Sequence, residues 1–516
     1  MAAPSSSLKR RKRIVRLAFL MHRWLGITVG TMMILWCLSG MVMLWQAWPV
    51  PDPAASRMAH GVIDLRIAPV FPRLHEAYRS FRLTMAGRVP LLQTVTLQGL
   101  TTSHDLRDGR IVMASSGAGS DARDTGSSSL LSPDDVLDDA RRYALATGDQ
   151  GVLTFRGIKR DDQWIMNTKG RETGFYRYDS DSTSGSILYL SPLTGDVVQA
   201  TTRQSRFWAW VGAIPHWLYP SLLRRHAQLW SNVLIVLSGA GIVLTLLGLW
   251  IGWRRLNTGR HISPYRHIHY LHHIAGLAFG PLLLSWIVTG FLTMNPGGFL
   301  ARRDAPDWTT KLYTALPDDM PDTVMASLSA HPDRHFRDLR AASLGGHPFL
   351  VGTNADGTTQ RLNSHLDPFP LTQNAVEAAV RETGLQGVVT KLERDDRFYF
   401  STRHVTRSFP VYRVTGSDGV QLYLDGQSGL PLLVVDGAAR GSRWIIYGPH
   451  DFDFFPWLRL PLTRLILVFP VLLSVTLVSL AGGVIGLRRL IRRRGPSGTR
   501  HNRKATTPPA GDKKHS

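Results

Sequence analysis

Four of the nineteen histidines recur in register and have the makings of a paired site. His22 matches His272 at an offset of 250 residues, and His216 matches His450 at an offset of 234. The first two open apolar runs, and the other two sit in Pro-His steps shortly before further apolar runs. Two imidazoles facing each other across a helix bundle can ligate one haem iron from both sides. One such pair towards each membrane face would hold two stacked b-type haems and give an electron path across the bilayer. Zinc wants more ligands per site, and no close His/Cys/Asp cluster in the sequence supplies them. Proton relay and ion binding stay open, because ionisable groups in a span are costly and default to a functional role. A lone histidine at a helix end is more often an interfacial residue, so the matching in pairs is what carries the reading.

Other residues take supporting places. Gly26, Gly30, Gly276 and Gly280 stand at four-residue spacing, which lets a flat macrocycle or another helix approach closely. Arg23, Arg206 and Arg440 are the candidates to neutralise haem propionates. His261, His267, His269 and His273 read as surface charge, and His365 and His404 as domain surface. His226, whose repeat counterpart is Leu460, and His273 are the substitutes for a ligand if the pairing differs. Trp208, Trp210, Trp217, Trp444 and Trp457 cluster near His216 and His450 and read as an interfacial belt.

These residues need long elements to position them. Four apolar stretches are each long enough to cross a bilayer as helices. Residues 16–46, 227–253, 270–295 and 461–488 are the expected spans. Positive charge gathers beside them: Lys9 to Arg13, then Arg254, Arg255, Arg260 and Arg266, then Arg488 to Arg494. That bias puts the tail 1–15, the loop 254–269 and the tail 489–516 in the cytoplasm. The larger segments 47–226 and 296–460 then lie outside it. The net charge of +22 is accounted for in this way, with no need of nucleic acid. Trp45 and Trp48 mark the first run as an uncleaved anchor.

An internal repeat organises the whole. At offset 250, Gly30, Trp36 and Gly40 fall on Gly280, Trp286 and Gly290. At offset 234, Arg160-Asp161-Asp162 falls on Arg394-Asp395-Asp396, Tyr189 on Tyr423, Gly195 on Gly429, Gly248 on Gly482 and Arg254-Arg255 on Arg488-Arg489. Each outer segment reads as a helix (Pro133 to Thr147; Thr372 to Thr383) before strands. In the first half the expected strands are Gly151 to Ile158, Asp162 to Thr168, Phe175 to Tyr178 and Ile187 to Leu190. Ser115 to Ser129 reads as a loop. The expected fold class is an α-helical membrane protein: four transmembrane helices in a tandem parallel repeat, with two extracytoplasmic α+β domains.

Cys37 is the one cysteine, so an intrachain disulfide, covalent c-type haem attachment and a thiolate-held iron–sulfur cluster are all excluded. Gly239-Ala240-Gly241 lies inside an apolar run without a preceding strand and is no nucleotide loop, and no P-loop occurs.

The His22–Gly26 and His272–Gly276 starts, the Ser39-Gly40 and Thr289-Gly290 steps, the Pro-His steps and the Gly248–Arg255 span end resemble the PepSY-associated transmembrane helix family. The turns Tyr189–Gly195 and Tyr423–Gly429 look like the closing strand of its PepSY-type domains. The resemblance runs from about Arg16 to Leu490. It implies a bacterial inner-membrane di-haem reductase of periplasmic ferric siderophores or ferric chelates, fed by a cytoplasmic electron donor or quinol. It also implies that His22, His272, His216 and His450 are the haem iron ligands. A siderophore or small-solute transporter and a PepSY-type regulatory or binding module are the alternative readings.

Overall fold

The computed structural model describes residues 6–67, 77–112, 130–166, 168–171, 173–257, 262–298, 307–402 and 405–493. The expected loop Ser115 to Ser129, together with Arg260, His261, His404 and Arg494, lies outside the described residues.

Three helices are long and apolar enough to cross a membrane, and up to four spans arise only if a bent pair counts as one. The bent pair is α1 (Ser6–Thr28) and α2 (Gly30–Met43), which meet at 52°. The others are α3 (Ala227–Arg254), α4 (His267–Thr293) and α5 (Phe469–Arg493), the last led by a short irregular turn from Pro461. The bend has a local cause. The Thr28 hydroxyl donates to the Trp24 carbonyl at 2.9 Å, and Gly30 follows at the joint. A hydroxyl bonded back into its own helix and a neighbouring glycine both favour a kink. Val29, Met33, Cys37, Leu244, Leu283, Ile287 and Val475 form the core between the helices.

The rest of the described chain is rich in strands. β1 (Tyr78–Ala86), β2 (Val89–Thr96) and β3 (Thr101–Asp105) come first. β4 (Leu153–Lys159), β5 (Phe175–Ser180), β6 (Ile187–Leu190) and β7 (Val197–Thr201) make a four-stranded antiparallel sheet in sequence order. β8 (Phe336–Leu344), β9 (His347–Asn354) and β10 (Thr359–Leu362) follow. β11 (Gly387–Leu392), β12 (Val411–Gly416), β13 (Gln421–Asp425) and β14 (Pro431–Val435) repeat the four-stranded arrangement.

The expected four-helix class is therefore corrected. The chain combines three continuous apolar helices and one broken pair with three antiparallel sheets. Apolar length alone cannot report a break inside a run, which is why the first stretch read as one straight helix. A smaller correction concerns Asp162 to Thr168. Its described residues form turns, with the Trp164 carbonyl accepting from Gln199 across to β7. The helix Pro133–Ala146 starts as expected, because Ser132 and Asp135 cap each other's backbone N–H groups.

The third sheet joins the two halves. Its order is β10-β9-β8-β1-β2-β3, and β1 pairs with β8 in the register Phe81↔Ala341 and Leu83↔Leu339. A buried charge network braces the junction. Arg82 on β1 reaches Asp196 at 2.9 and 3.0 Å and also binds Asp338 on β8. His60 lies 2.8 Å from Asp196 and 3.4 Å from the fully buried Asp139. Asp139 also accepts from the Gly87 N–H at 2.8 Å and pairs with Arg142. Burial works against the His60 imidazolium, but Asp139, backed by Asp196, pushes its pKa up to about 9.

Candidate functional site

The four singled-out histidines meet as two facing pairs. The His22 and His272 rings lie 6.4 Å apart between centres, inclined by 37°. The His216 and His450 rings lie 6.3 Å apart, inclined by 61°. His216 and His450 stand on short helices between the sheets and α3 or α5. His22 and His272 stand on α1 and α4 at the opposite end of the helices.

Each ring is fixed by its Nδ1. His22 Nδ1 lies 3.1 Å from the Leu244 carbonyl on α3, and His272 Nδ1 lies 3.1 Å from the Val478 carbonyl on α5. His216 Nδ1 lies 3.2 Å from the Trp36 carbonyl and 3.2 Å from Ser39 Oγ. His450 Nδ1 lies 3.0 Å from Thr289 Oγ1, and the His450 ring bonds the Trp286 backbone. A carbonyl only accepts, so Nδ1 carries the proton and Nε2 keeps its lone pair in the neutral ring. That tautomer is the metal-ligating one, with an outer partner that orients the ring. Burial holds the His216 pKa down at about 4 and lowers that of His450, so both stay neutral at ordinary pH.

Glycines make the approach possible. A Cβ on Gly248 would stand 2.8 Å from His22 Cε1, and one on Gly482 would stand 2.9 Å from His272 Cε1. On the sheet side the same distances are 3.2 Å from Gly40 to His216 and 3.7 Å from Gly290 to His450. Every ring thus lies against a glycine of a neighbouring helix. Of the four glycines expected to give close approach, Gly30 faces open space and Gly26 and Gly276 have neighbours only at 3.9 Å. Gly280 packs tightly on Leu249.

The ring spacing suits one metal ion held between two imidazoles. A metal–imidazole bond is about 2 Å, so two of them, with about 1 Å from each ring centre to its nitrogen, span about 6 Å. Both pairs match that span. Among the described residues no group of three or more His, Cys, Asp or Glu converges, so a metal here would find only the two imidazoles of a pair. A cavity of about 640 Å³ opens beside His216 and His450, within the range of cofactor pockets. Trp36, Trp48, Trp217, Trp230 and Trp286 line it.

The loops after His216 and His450 turn alike and are held differently. Leu218 and Phe452, two residues past each histidine, are both left-handed, with φ of 46° and 51°. In the first half the turn is packed in aromatic rings, Trp48 lying 6.0 Å from Trp217 and 5.6 Å from Tyr219. In the second half arginines hold it. Arg443 pairs with Asp453 at 2.7 Å, Arg459 donates to the Asp453 carbonyl, and Arg464 donates to the Asp451 carbonyl.

The remaining candidates take other places. Arg206 donates to the Thr201 and Gly185 carbonyls, and Arg440 to the Gly419 carbonyl, so both guanidinium groups close sheet turns. Arg23 lies over the Trp24 ring. His273, expected as surface charge, is buried, with Ser263 at 2.7 Å from one ring nitrogen and the Gly252 carbonyl at 2.8 Å from the other. His226 is exposed at the start of α3, and His267, His269 and His365 are exposed as expected. The sequence reading passed over the anchoring carbonyls of Leu244 and Val478, which are themselves 234 residues apart. It recorded Gly248 and Gly482 as matched but gave them no task.

No curated protein matches this chain. The family described as PepSY-associated TM region matches residues 19–489, and the chain, a membrane protein by its apolar helices, belongs to that family.

Proposed function

We propose that the chain carries electrons across the bacterial inner membrane to a periplasmic ferric siderophore or ferric chelate, using two b-type haems. The observation that supports it best is the pair of facing imidazole couples at 6.4 and 6.3 Å, each ring anchored through Nδ1. His22 and His272 would hold one haem, and His216 and His450 the other. A haem bound between two imidazoles supplies a one-electron carrier. The chain's own part is to hold the imidazoles neutral, aim their Nε2 lone pairs and wall the sheet-side group with apolar and aromatic side chains.

Orientation follows from charge. Lys12, Arg13, Arg254, Arg255, Arg488 and Arg489 gather at the His22 and His272 end, and this bias supports a reading with that end in the cytoplasm and the sheets in the periplasm. A cytoplasmic donor or membrane quinol would give up the electron, and ferric iron in the chelate would take it. Ferrous iron is the softer, less highly charged ion, and a hard oxygen chelator holds it less tightly.

The deciding measurement is an absorption spectrum of the detergent-purified protein from haem-replete cells, oxidised and reduced, with a pyridine haemochrome assay. Two low-spin b-type haems per chain are expected. A colourless protein would sink the proposal and bring the transporter reading forward.

A further inference from the structure

Arg224 is a cation on the wall of the sheet-side cavity with no anion to answer it among the described residues. It lines that cavity together with His216 and His450. Its guanidinium lies 4.6 Å over the Trp230 ring and 5.2 Å over Tyr219. Its Nε is buried without a hydrogen-bond partner among the described residues. The other arginines near this end each donate to a nearby turn, Arg443, Arg459 and Arg464 to the Asp451–Asp453 turn and Arg206 and Arg440 to sheet turns, although Arg443, Arg459 and Arg464 also keep a buried nitrogen without a partner among the described residues. The repeat does not copy it, since the residue 234 positions on is Leu458. A guanidinium cannot shed its charge, and leaving its buried Nε unpaired is costly, so an oxyanion is the partner that would answer it.

We infer that Arg224 binds a propionate carboxylate of the haem held by His216 and His450, fixing that haem's acidic edge towards the first half of the chain. This rests on the two-haem reading above. The aromatic wall and the cation belong to one surface. Trp48, Trp217, Tyr219 and Trp230 offer ring faces and edges to a flat conjugated ligand, and Arg224 offers a planar fork to its carboxylate. The second half differs: there Arg443 is paired with Asp453, and Arg459 and Arg464 donate to backbone carbonyls of the same turn. A membrane-lipid phosphate would offer the same oxyanion chemistry, and the test separates the two sources.

The test uses the full-length chain carrying His22→Ala, to empty the far pair, produced under haem limitation and solubilised in detergent. It is titrated with ferric protoporphyrin and with the dimethyl ester, which lacks the carboxylates, and the Soret band gives each Kd. The diacid should bind about tenfold or more tightly than the ester, as a charge-assisted bond in a partly dry site allows. Arg224→Leu should weaken the diacid to the level of the ester and leave the ester unchanged. Arg224→Lys should keep part of the preference, and Arg225→Leu, altering an exposed neighbour, all of it. Equal binding of diacid and ester with Arg224 present, or a preference that survives Arg224→Leu, overturns the assignment. Loss of co-purified lipid phosphorus in Arg224→Leu, with the two porphyrins bound equally throughout, would overturn it in favour of a lipid headgroup. Failure of both porphyrins to bind would instead remove the two-haem reading itself.

Discussion

On the two-haem proposal, replacing Gly248 by alanine should cost the protein the haem assigned to the His22–His272 pair, halving the content from two per chain to one. The new Cβ would lie 2.8 Å from His22 Cε1. The ring has little freedom to retreat, because its Nδ1 is held by the Leu244 carbonyl four residues back on the same helix. Overpacking of this kind costs about 1–3 kcal/mol, or roughly one to two orders of magnitude in affinity. Gly482→Ala should act the same way on His272, at 2.9 Å. Gly40→Ala, at 3.2 Å from His216, should shift the reduced spectrum or the midpoint potential of the sheet-side haem and keep it bound. Gly290→Ala, at 3.7 Å from His450, should be close to wild type, and so should Gly30→Ala, which faces open space. Haem per chain and a potentiometric titration across the five variants give the answer. The geometric account fails if Gly290→Ala or Gly30→Ala loses as much haem as Gly248→Ala.

The second large effect concerns the sheet junction. Asp139→Ala should lower the midpoint of thermal unfolding of the sheet unit by roughly 10 °C, from a loss of about 3–5 kcal/mol. Asp139 is fully buried and answers His60, Arg142 and the Gly87 N–H, so its removal leaves Arg142 and the Gly87 N–H without that carboxylate and His60 with Asp196 alone. The pH dependence has a definite sign. The His60 pKa in the folded chain is about 9, above the ordinary value of 6.5. Its contribution, roughly 3 kcal/mol, is therefore complete below about pH 6.5 and fades as pH rises through 9. Unfolding followed from pH 6 to 10 should show wild-type stability falling over that window and the Asp139→Ala variant nearly flat there. A wild-type profile that rises between pH 7 and 9 would contradict the network as described.

The sequence was most legible where the repeat made residues vouch for one another. The offsets of 250 and 234 singled out His22, His272, His216 and His450, and the structure brings those four together in pairs. Strand Ile187–Leu190 and the capped helix from Pro133 were readable because their signals are local: a short apolar run before a glycine turn, and a Ser-Pro-Asp-Asp start. The break between α1 and α2 was not, because a threonine bonding backwards leaves the hydrophobic length of a run unchanged. The β1–β8 pairing joins strands some 250 residues apart, and no sequence period announces it. Arg206 and Arg440 matched in register because both close the same sheet turn, which shows that matched positions can mark scaffold as readily as chemistry. Arg224 has no matched partner, and that is why a search by symmetry passes it by.

The shared sheet also bears on how the two halves can move. Carriers that pass a solute through the bilayer by alternating access rock one half of the molecule against the other. Here such rocking would have to part β1 from β8, breaking a ladder of backbone hydrogen bonds, and tear Arg82 away from Asp338. A clasp of this kind takes away the hinge. It suits a cargo that crosses a fixed frame without opening it, and an electron is such a cargo.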